Sequence, residues 1–512
     1  MAEFPILSAL VFLPLIGAVV VMFIPRERAD AVKSASLATV AASLGLAAMA
    51  WASMGSGVAG MQLEEKAPWI PQIGISYHLG VDGISMPLVF LTPLVTLLAL
   101  MYSWIVEDRV KEYFVFFLIL QSAMTGVFAA LDMFLFYIFW EVSLVPMYFL
   151  IGVWGHKPRC EYAAIKFFLY TLAGSVLMLL ALIACWWYSG PTLGQRTFDL
   201  LELAERQPTL GMSAAGLATL PMLCFWGFFI GFAIKVPCFP FHTWLPDAHV
   251  EAPTAGSVVL AGLLLKLGGY AMIRILPTLF PQQLRDAAVT IGILALISII
   301  YGSLVAMAQP NLKKLIAYSS IGHMGFVTLG IASGTVEGIQ GAVFQMFSHG
   351  LLTSALFLLA GILYERAHTY EIDRYGGLGQ IMPTYCGVFI FIAMGSLGLP
   401  SMSGFVAELW VLIGTYNAGT GVGGSAALLG TPWFAYLAVG GILLAAAYLL
   451  WTVQRVLMGD LKPDWAAMKD MTRLEVACLA PLMAGTLWLG CYPGPLLAFI
   501  LPSAKAISQW VI

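Results

Sequence analysis

Charge is what this sequence has least of. Of 512 residues, 24 are Lys or Arg and 27 are Asp or Glu, 10% in all, where a soluble domain carries roughly 25%. That leaves too little polar surface to cover a globule in water. No basic run occurs and the formal net charge is −3, which argues against a nucleic-acid partner. Cysteine is also scarce. The seven, at positions 160, 185, 224, 238, 386, 478 and 491, form no C-x-x-C and sit at no ligand spacing from a histidine. Iron–sulfur, zinc and haem attachment therefore lack support. A Walker loop, a G-x-G-x-x-G after a strand, an H-E-x-x-H and a G-x-S-x-G context are all missing, and with them nucleotide binding, metalloprotease and serine-hydrolase chemistry. If the chain takes part in redox or nucleotide chemistry, the cofactors sit on another chain.

Apolar length is what is there instead. The composition is 60% hydrophobic, and a membrane helix needs about 20 apolar residues. Runs separated by polar or Pro/Gly breaks predict spans over 4–24, 34–53, 83–104, 114–130, 132–153, 162–188, 214–244, 254–276, 286–307, 315–332, 340–363, 384–410, 433–457 and 475–497. The fold class is thus an all-α polytopic membrane protein of about fourteen helices. The first span opens with Glu3 and lacks a basic n-region, so it reads as a retained helix and not a removable signal. Fifteen Lys and Arg lie on the side following odd-numbered helices, six on the other, and three inside spans. The positive-inside bias places both termini outside the cytoplasm. The outer stretch 54–82, with Pro68, Pro71, Gly74 and Gly80, suits a small hairpin.

Two spans are interrupted. The seventh reads Gly231-Phe-Ala-Ile-Lys235-Val-Pro237-Cys-Phe-Pro240-Phe-His242, and the twelfth Gly398-Leu-Pro400-Ser-Met-Ser-Gly404-Phe-Val-Ala-Glu408. Proline removes a backbone donor, and in hydrocarbon such a break survives only where protein or a wet cavity surrounds it. Helices 7 and 12 are five spans apart, an odd number, so two five-helix repeats would be inverted. Discontinuous helices at matching places in inverted repeats point to an ion path at mid-membrane. The implied divisions are 1–113 for helices 1–3, 114–276 and 285–458 for the two repeats, and 459–512 for helix 14 and a tail.

Four charges fall well within spans: Glu141, Lys235, Lys266 and Glu408. Each costs about 2.5–3.5 kcal/mol at a helix centre on insertion scales. The plain alternative is a pair of salt bridges that only locks helices together. Two lysines and two glutamates over four helices fit a conducting chain better, most simply for protons. His323 and His349, each flanked by Ser or Gly on neighbouring helices, are either hydrogen-bonded core residues or members of a proton wire. His242 shares that ambiguity, and Lys166 can snorkel to the inner surface. His78, His156, His249 and His368 read as loop residues without signal. One Glu–Lys pair about 8 Å apart at an effective dielectric of roughly 20 is worth about 2 kcal/mol. Moving a proton against about 150 mV costs roughly 3.5 kcal/mol, so a single pair cannot drive pumping and an external energy source is required.

The run Lys235-Val-Pro-Cys-Phe-Pro-Phe-His-Thr-Trp-Leu-Pro-Asp-Ala-His-Val-Glu-Ala-Pro-Thr254, continuing to Leu-Leu-Leu-Lys266-Leu-Gly-Gly-Tyr270, resembles the antiporter-like membrane subunits of respiratory complex I. Phe139-Trp140-Glu141 and Leu399-Pro-Ser-Met-Ser-Gly-Phe-Val-Ala-Glu408 match as well, and the likeness covers roughly residues 80–460. It is greatest to the chain M type, similar to mitochondrial NADH dehydrogenase subunit 4, because Glu408 stands where sister subunits usually carry lysine. The resemblance implies a fourteen-helix core and proton translocation coupled to NADH:quinone chemistry on other subunits. Glu141 would switch beside Lys235, the acceptor of the first half-path; Lys266 would relay onward through His323 and His349; Glu408 would end the second half-path. It also implies no cofactor on this chain, FMN, iron–sulfur clusters and quinone on partner subunits, and sister antiporter-like subunits as neighbours in an energy-transducing inner membrane. A subunit of a multisubunit Na+/H+ antiporter is the other reading, and a purely structural membrane component a third.

Overall fold

The computed structural model describes residues 4–214, 216–422 and 428–511. Met1–Glu3 and residues 423–427 of the expected outer loop 411–432 lie outside these. Helices dominate: α1 (Ile6–Phe23), α2 (Ala29–Ser53), α3 (Ser85–Tyr102), α4 (Val110–Ala129), α5 (Met133–Val142), α6 (Leu144–Trp154), α7 (Cys160–Trp187), α8 (Leu200–Arg206), α9 (Pro208–Ala214) and α10 (Leu220–Lys235). Then come α11 (Trp244–Glu251), α12 (Thr254–Val259), α13 (Leu265–Leu279), α14 (Pro281–Met307), α15 (Leu312–Ser333) and α16 (Val336–Ala367). The chain closes with α17 (Pro383–Ser396), α18 (Ser403–Thr420), α19 (Trp433–Leu457), α20 (Arg473–Cys491) and α21 (Gly494–Val511). Among the described residues, twelve helical segments are long and apolar enough to cross a membrane. Two further apolar helices, α10 and α17, are shorter, and each ends at one of the expected breaks.

Burial sorts the helices into two classes. The spans containing α12–α13 and α16 are wholly buried, whereas α2 and α20 bury only 28% of theirs. The wholly buried pair forms the axis of the bundle, and the polar side chains found in the interior cluster on it and its neighbours. The outer helices turn apolar faces outward, such as Ile16, Val20 and Phe23 of α1, as lipid contact requires.

The 54–82 stretch is a two-stranded antiparallel hairpin, β1 (Gln62–Ile70) with β2 (Ile75–Val81), turned by Gly74 at φ +72°. Two parts differ from expectation. The 189–213 loop contains α8 and α9, whose capping Asp199 accepts from the amides of Leu201 and Glu202. The C-terminal span ends at Cys491, and the expected tail is the amphipathic helix α21. Its Leu496, Leu497, Ile500, Ala504, Ile507 and Val511 are buried at three- and four-residue spacing. Gln340 Nε2 donates to the Leu497 carbonyl at 2.9 Å and Ser508 Oγ to the Gly334 carbonyl at 2.7 Å. Continuous apolar length does not mark α21, because a one-sided helix lacks it.

Candidate functional site

The site begins at the two breaks. Between α10 and α11 the helix stops after Lys235, and several of the groups freed there find partners. The Phe239 amide donates to Ser298 Oγ at 2.9 Å, the Cys238 amide to the Ala233 carbonyl at 2.8 Å, and Trp244 Nε1 to the Ile234 carbonyl at 2.8 Å. Between α17 and α18 the turn passes through Gly398 at φ +82°, a conformation that only glycine adopts freely. A Cβ on Gly398 would stand 3.3 Å from Glu408 Oε2, so the break and the carboxylate are packed as one unit.

Lys235 ends α10 and is 2% exposed. Its ammonium donates to Ser143 Oγ at 3.2 Å and lies 4.8 Å from the centre of the Trp140 ring, a cation–π contact. Ser143 is the joint between α5 and α6, two residues from Glu141. Glu141 Oε1 is buried with no hydrogen-bond partner. The lysine is thus held by a hydroxyl and an aromatic face, with an unpaired carboxylate oxygen close by in the chain.

Lys266 lies on the axis and is fully buried. The five residues before α13, Leu260–Leu264, form a π-helical turn, a wider turn that leaves a carbonyl without its usual partner. Lys266 Nζ donates to one such carbonyl, that of Ala261. It also lies 2.6 Å from His349 Nδ1. The approach depends on glycine: a Cβ on Gly262 would meet Ser354 Oγ at 2.4 Å, and one on Gly350 would meet Leu91 Cδ2 at 2.5 Å. The His349 and His323 rings have centroids 5.8 Å apart. His323 Nδ1 is 3.0 Å from Glu408 Oε1, and His323 Nε2 faces Ser396 Oγ at 3.4 Å and Tyr448 Oη at 3.5 Å. Lys266, His349, His323 and Glu408 therefore make one buried row.

A family model described as NADH:quinone oxidoreductase/Mrp antiporter, TM, matches residues 130–431, more than half the chain and the stretch that contains this row. The chain belongs to that family. NADH-quinone oxidoreductase subunit M of Rhodobacter capsulatus is 44% identical, over 98% of this chain and 96% of its own. A chain of respiratory complex I from Thermus thermophilus superposes with a TM-score of 0.86 at 30% identity, covering 99% of this chain and 100% of its own. A chain of the Mrp complex from Dietzia sp. has the same fold, with a TM-score of 0.80 at 21% identity over 99% of each chain. Within the family the chain is an antiporter-like complex I subunit of the M type.

Of the six expected site residues of this M-type chain, the fold lines up four as two contacting pairs, Lys266–His349 and His323–Glu408, with His349 Nε2 unpartnered between them, and leaves Glu141 and Lys235 as a separate, looser pair. It also corrects the reading of several others. His249 is not a loop residue: it lies in α11, wholly buried, stacked 4.4 Å from Phe357, with both ring nitrogens unpartnered. Lys313, counted with an inner loop, is buried at the start of α15, where Nζ donates to the Ala252 carbonyl at 2.7 Å. Arg274, counted with an outer loop, is buried in α13 and pairs with Asp82 at 2.5 Å. His78 is buried in β2 between Asp199, 2.7 Å from Nδ1, and Glu64, 3.2 Å from Nε2. Lys166 does reach outward, to Asp247 at 2.6 Å. His242 is buried with both ring nitrogens unpartnered beside Tyr301, 5.2 Å between centroids. Helix periodicity was the signal for His249, which continues the buried face of α11 with Leu245 and Ala248, whereas α13 is buried on all sides and gives Arg274 no such signal. Nothing in the sequence marks Ser143 as the ligand of Lys235.

Proposed function

We propose that this chain moves protons across an energy-transducing inner membrane, as a membrane-arm subunit of an NADH:quinone oxidoreductase, through Glu141, Lys235, Lys266, His349, His323 and Glu408. The observation that carries this reading is the row from Lys266 to Glu408, with a contact of 2.6 Å at one end and 3.0 Å at the other. An ammonium on Lys266 hands a proton to His349 Nδ1. The imidazole releases one from its other nitrogen toward His323, which faces the Glu408 carboxylate through Nδ1. Lys235 supplies the row from the first half, held by Ser143 and Trp140 until Glu141 changes its pairing. The cost of moving a proton against the membrane potential exceeds what one such pair supplies, so the driving energy comes from redox chemistry.

This reading includes fourteen transmembrane helices, with inverted repeats over 114–276 and 285–458 flanked by 1–113 and 459–512. Both termini lie on the non-cytoplasmic side of a bacterial inner membrane. Flavin, iron–sulfur clusters and quinone sit on partner subunits, with sister antiporter-like chains as neighbours and no redox site here. The second reading, a Na+/H+ antiporter subunit, has in its favour the Mrp half of the family description. The 44% identity to a subunit M favours the first.

Mild-detergent co-purification of the tagged chain, with mass spectrometry and flavin and iron assays, separates the two. Recovery with flavin, iron–sulfur subunits and NADH oxidation is expected. Recovery with only small membrane subunits and sodium-dependent proton exchange would overturn the assignment.

A further inference from the structure

Away from the buried charges, a cavity of about 670 Å³ opens between the start of α4 and the end of α6. Its floor is aromatic. Phe116 stacks on Phe149 with centroids 5.2 Å apart and ring planes 12° from parallel, and Trp154 meets Phe116 edge-on at 6.1 Å. Its rim is charged. Arg26 pairs with Glu112 at 2.5 Å, whereas Arg109 and Lys111 have no ion-pair partner among the described residues. Glu107 is the remaining acidic group of the lining. The rim therefore holds one positive charge more than it neutralises.

An apolar track leaves the floor. Phe149, Val145 and Val142 are exposed at 39%, 47% and 38%, four and three residues apart, so they form one stripe about 10 Å long. It runs from the charged rim along the exposed face of α6 to the end of α5. A free anion would need no such track. An apolar partner helix laid here would bury Arg109 and Lys111 without counter-charge, at a large desolvation cost. A molecule with an anionic head and a hydrocarbon tail satisfies both ends at once.

We propose that this cavity binds an anionic phospholipid, its phosphodiester between Arg109 and Lys111 and one acyl chain along Phe149, Val145 and Val142. A phosphodiester without an amine matches the single surplus charge of the rim, and phosphatidylglycerol is the simplest headgroup of that kind. The site is independent of the proton path, so it stands or falls separately from the proposed function.

The test uses the whole complex in detergent and phosphatidylglycerol carrying a photoreactive group on one acyl chain, with labelled peptides mapped by mass spectrometry. Label is expected on the Val142–Phe149 segment, competed by unlabelled phosphatidylglycerol about tenfold better than by phosphatidylethanolamine, and unaffected by inorganic phosphate. The R109Q/K111Q double variant should lower that label about tenfold. Absence of label from the segment, equal competition by phosphatidylethanolamine, competition by inorganic phosphate, or unchanged label in the double variant would each overturn the proposal. Should the double variant fail to assemble, F149A leaves the rim intact, and undiminished label in it overturns the acyl track.

Discussion

The two halves of the buried charge system are built differently. In the second half, Lys266 meets His349 and His323 meets Glu408, and the one break is between the two rings, 5.8 Å apart with His349 Nε2 unpartnered, so that reorientation there would connect the row. In the first half, Lys235 rests on Ser143 and Trp140, and Glu141 has an unpartnered oxygen. A connected row conducts whenever its ends differ in proton affinity, whereas a loose pair conducts only when something rearranges it. Under the proposed function, the comparison would put control at the Glu141–Lys235 pair, with the row beyond it as the conductor.

The largest expected effect comes from the residue at which the halves meet. Lys266→Ala removes the donor of the row, and proton pumping coupled to quinone reduction should fall more than tenfold, about 1.4 kcal/mol or more of barrier. NADH oxidation by an artificial acceptor and assembly should persist, and near-normal pumping would erase the distinction between the halves. Next are Lys235→Ala and Glu141→Gln, each expected to cost about tenfold in pumping. Combining them should cost little more than either alone, because they act as one unit; additive losses would mean that they are not a pair. Glu408→Gln is expected to lose only severalfold, since an amide at the end of a formed row still accepts from His323. A loss equal to that of Lys235→Ala would place control at both ends.

Smaller effects belong to charges off the path and serve as a contrast. The His78 imidazole is held above its usual range: burial opposes the charge, but the Asp199 carboxylate, aided by Glu64, outweighs it. Burial likewise opposes the Asp199 charge, and His78 and Lys66 nonetheless bring its carboxyl down to about 2. The His78 contribution is complete below about pH 6.5 and is lost as pH rises through the raised value. The Asp199 contribution is complete above about pH 3.9 and is lost as pH falls through about 2. Protection of the β1–β2 hairpin from proteolysis should therefore weaken as pH rises from 6 through the raised His78 value, a dependence that H78Q should flatten. A pH-independent hairpin would show that this cluster adds nothing to its stability. The smallest change is Lys166→Met, which breaks a half-exposed pair with Asp247 and should cost less than about 1 kcal/mol in thermal unfolding.

Much of this was legible without coordinates. Apolar length marked the spans, and proline placed both breaks within a few residues of where the helices end. The rarity of charge singled out Glu141, Lys235, Lys266 and Glu408. Periodicity also marks His249 and α21, which lie on buried faces that three- and four-residue spacing outlines, but not Arg274, whose helix is buried on all sides.

Sequence alone determined that the chain enters a membrane, where its helices break and which residues are costly to bury, because these depend on local composition and on backbone donors lost to proline. Tertiary structure alone decided that His349 meets Lys266, that His323 meets Glu408, and that Lys235 meets Ser143 and not a carboxylate. Those contacts join residues 83, 85 and 92 positions apart. Which of many buried polar groups face one another depends on helix rotation and close approach, set by glycines such as Gly262 and Gly350 and by the packing of every neighbouring side chain.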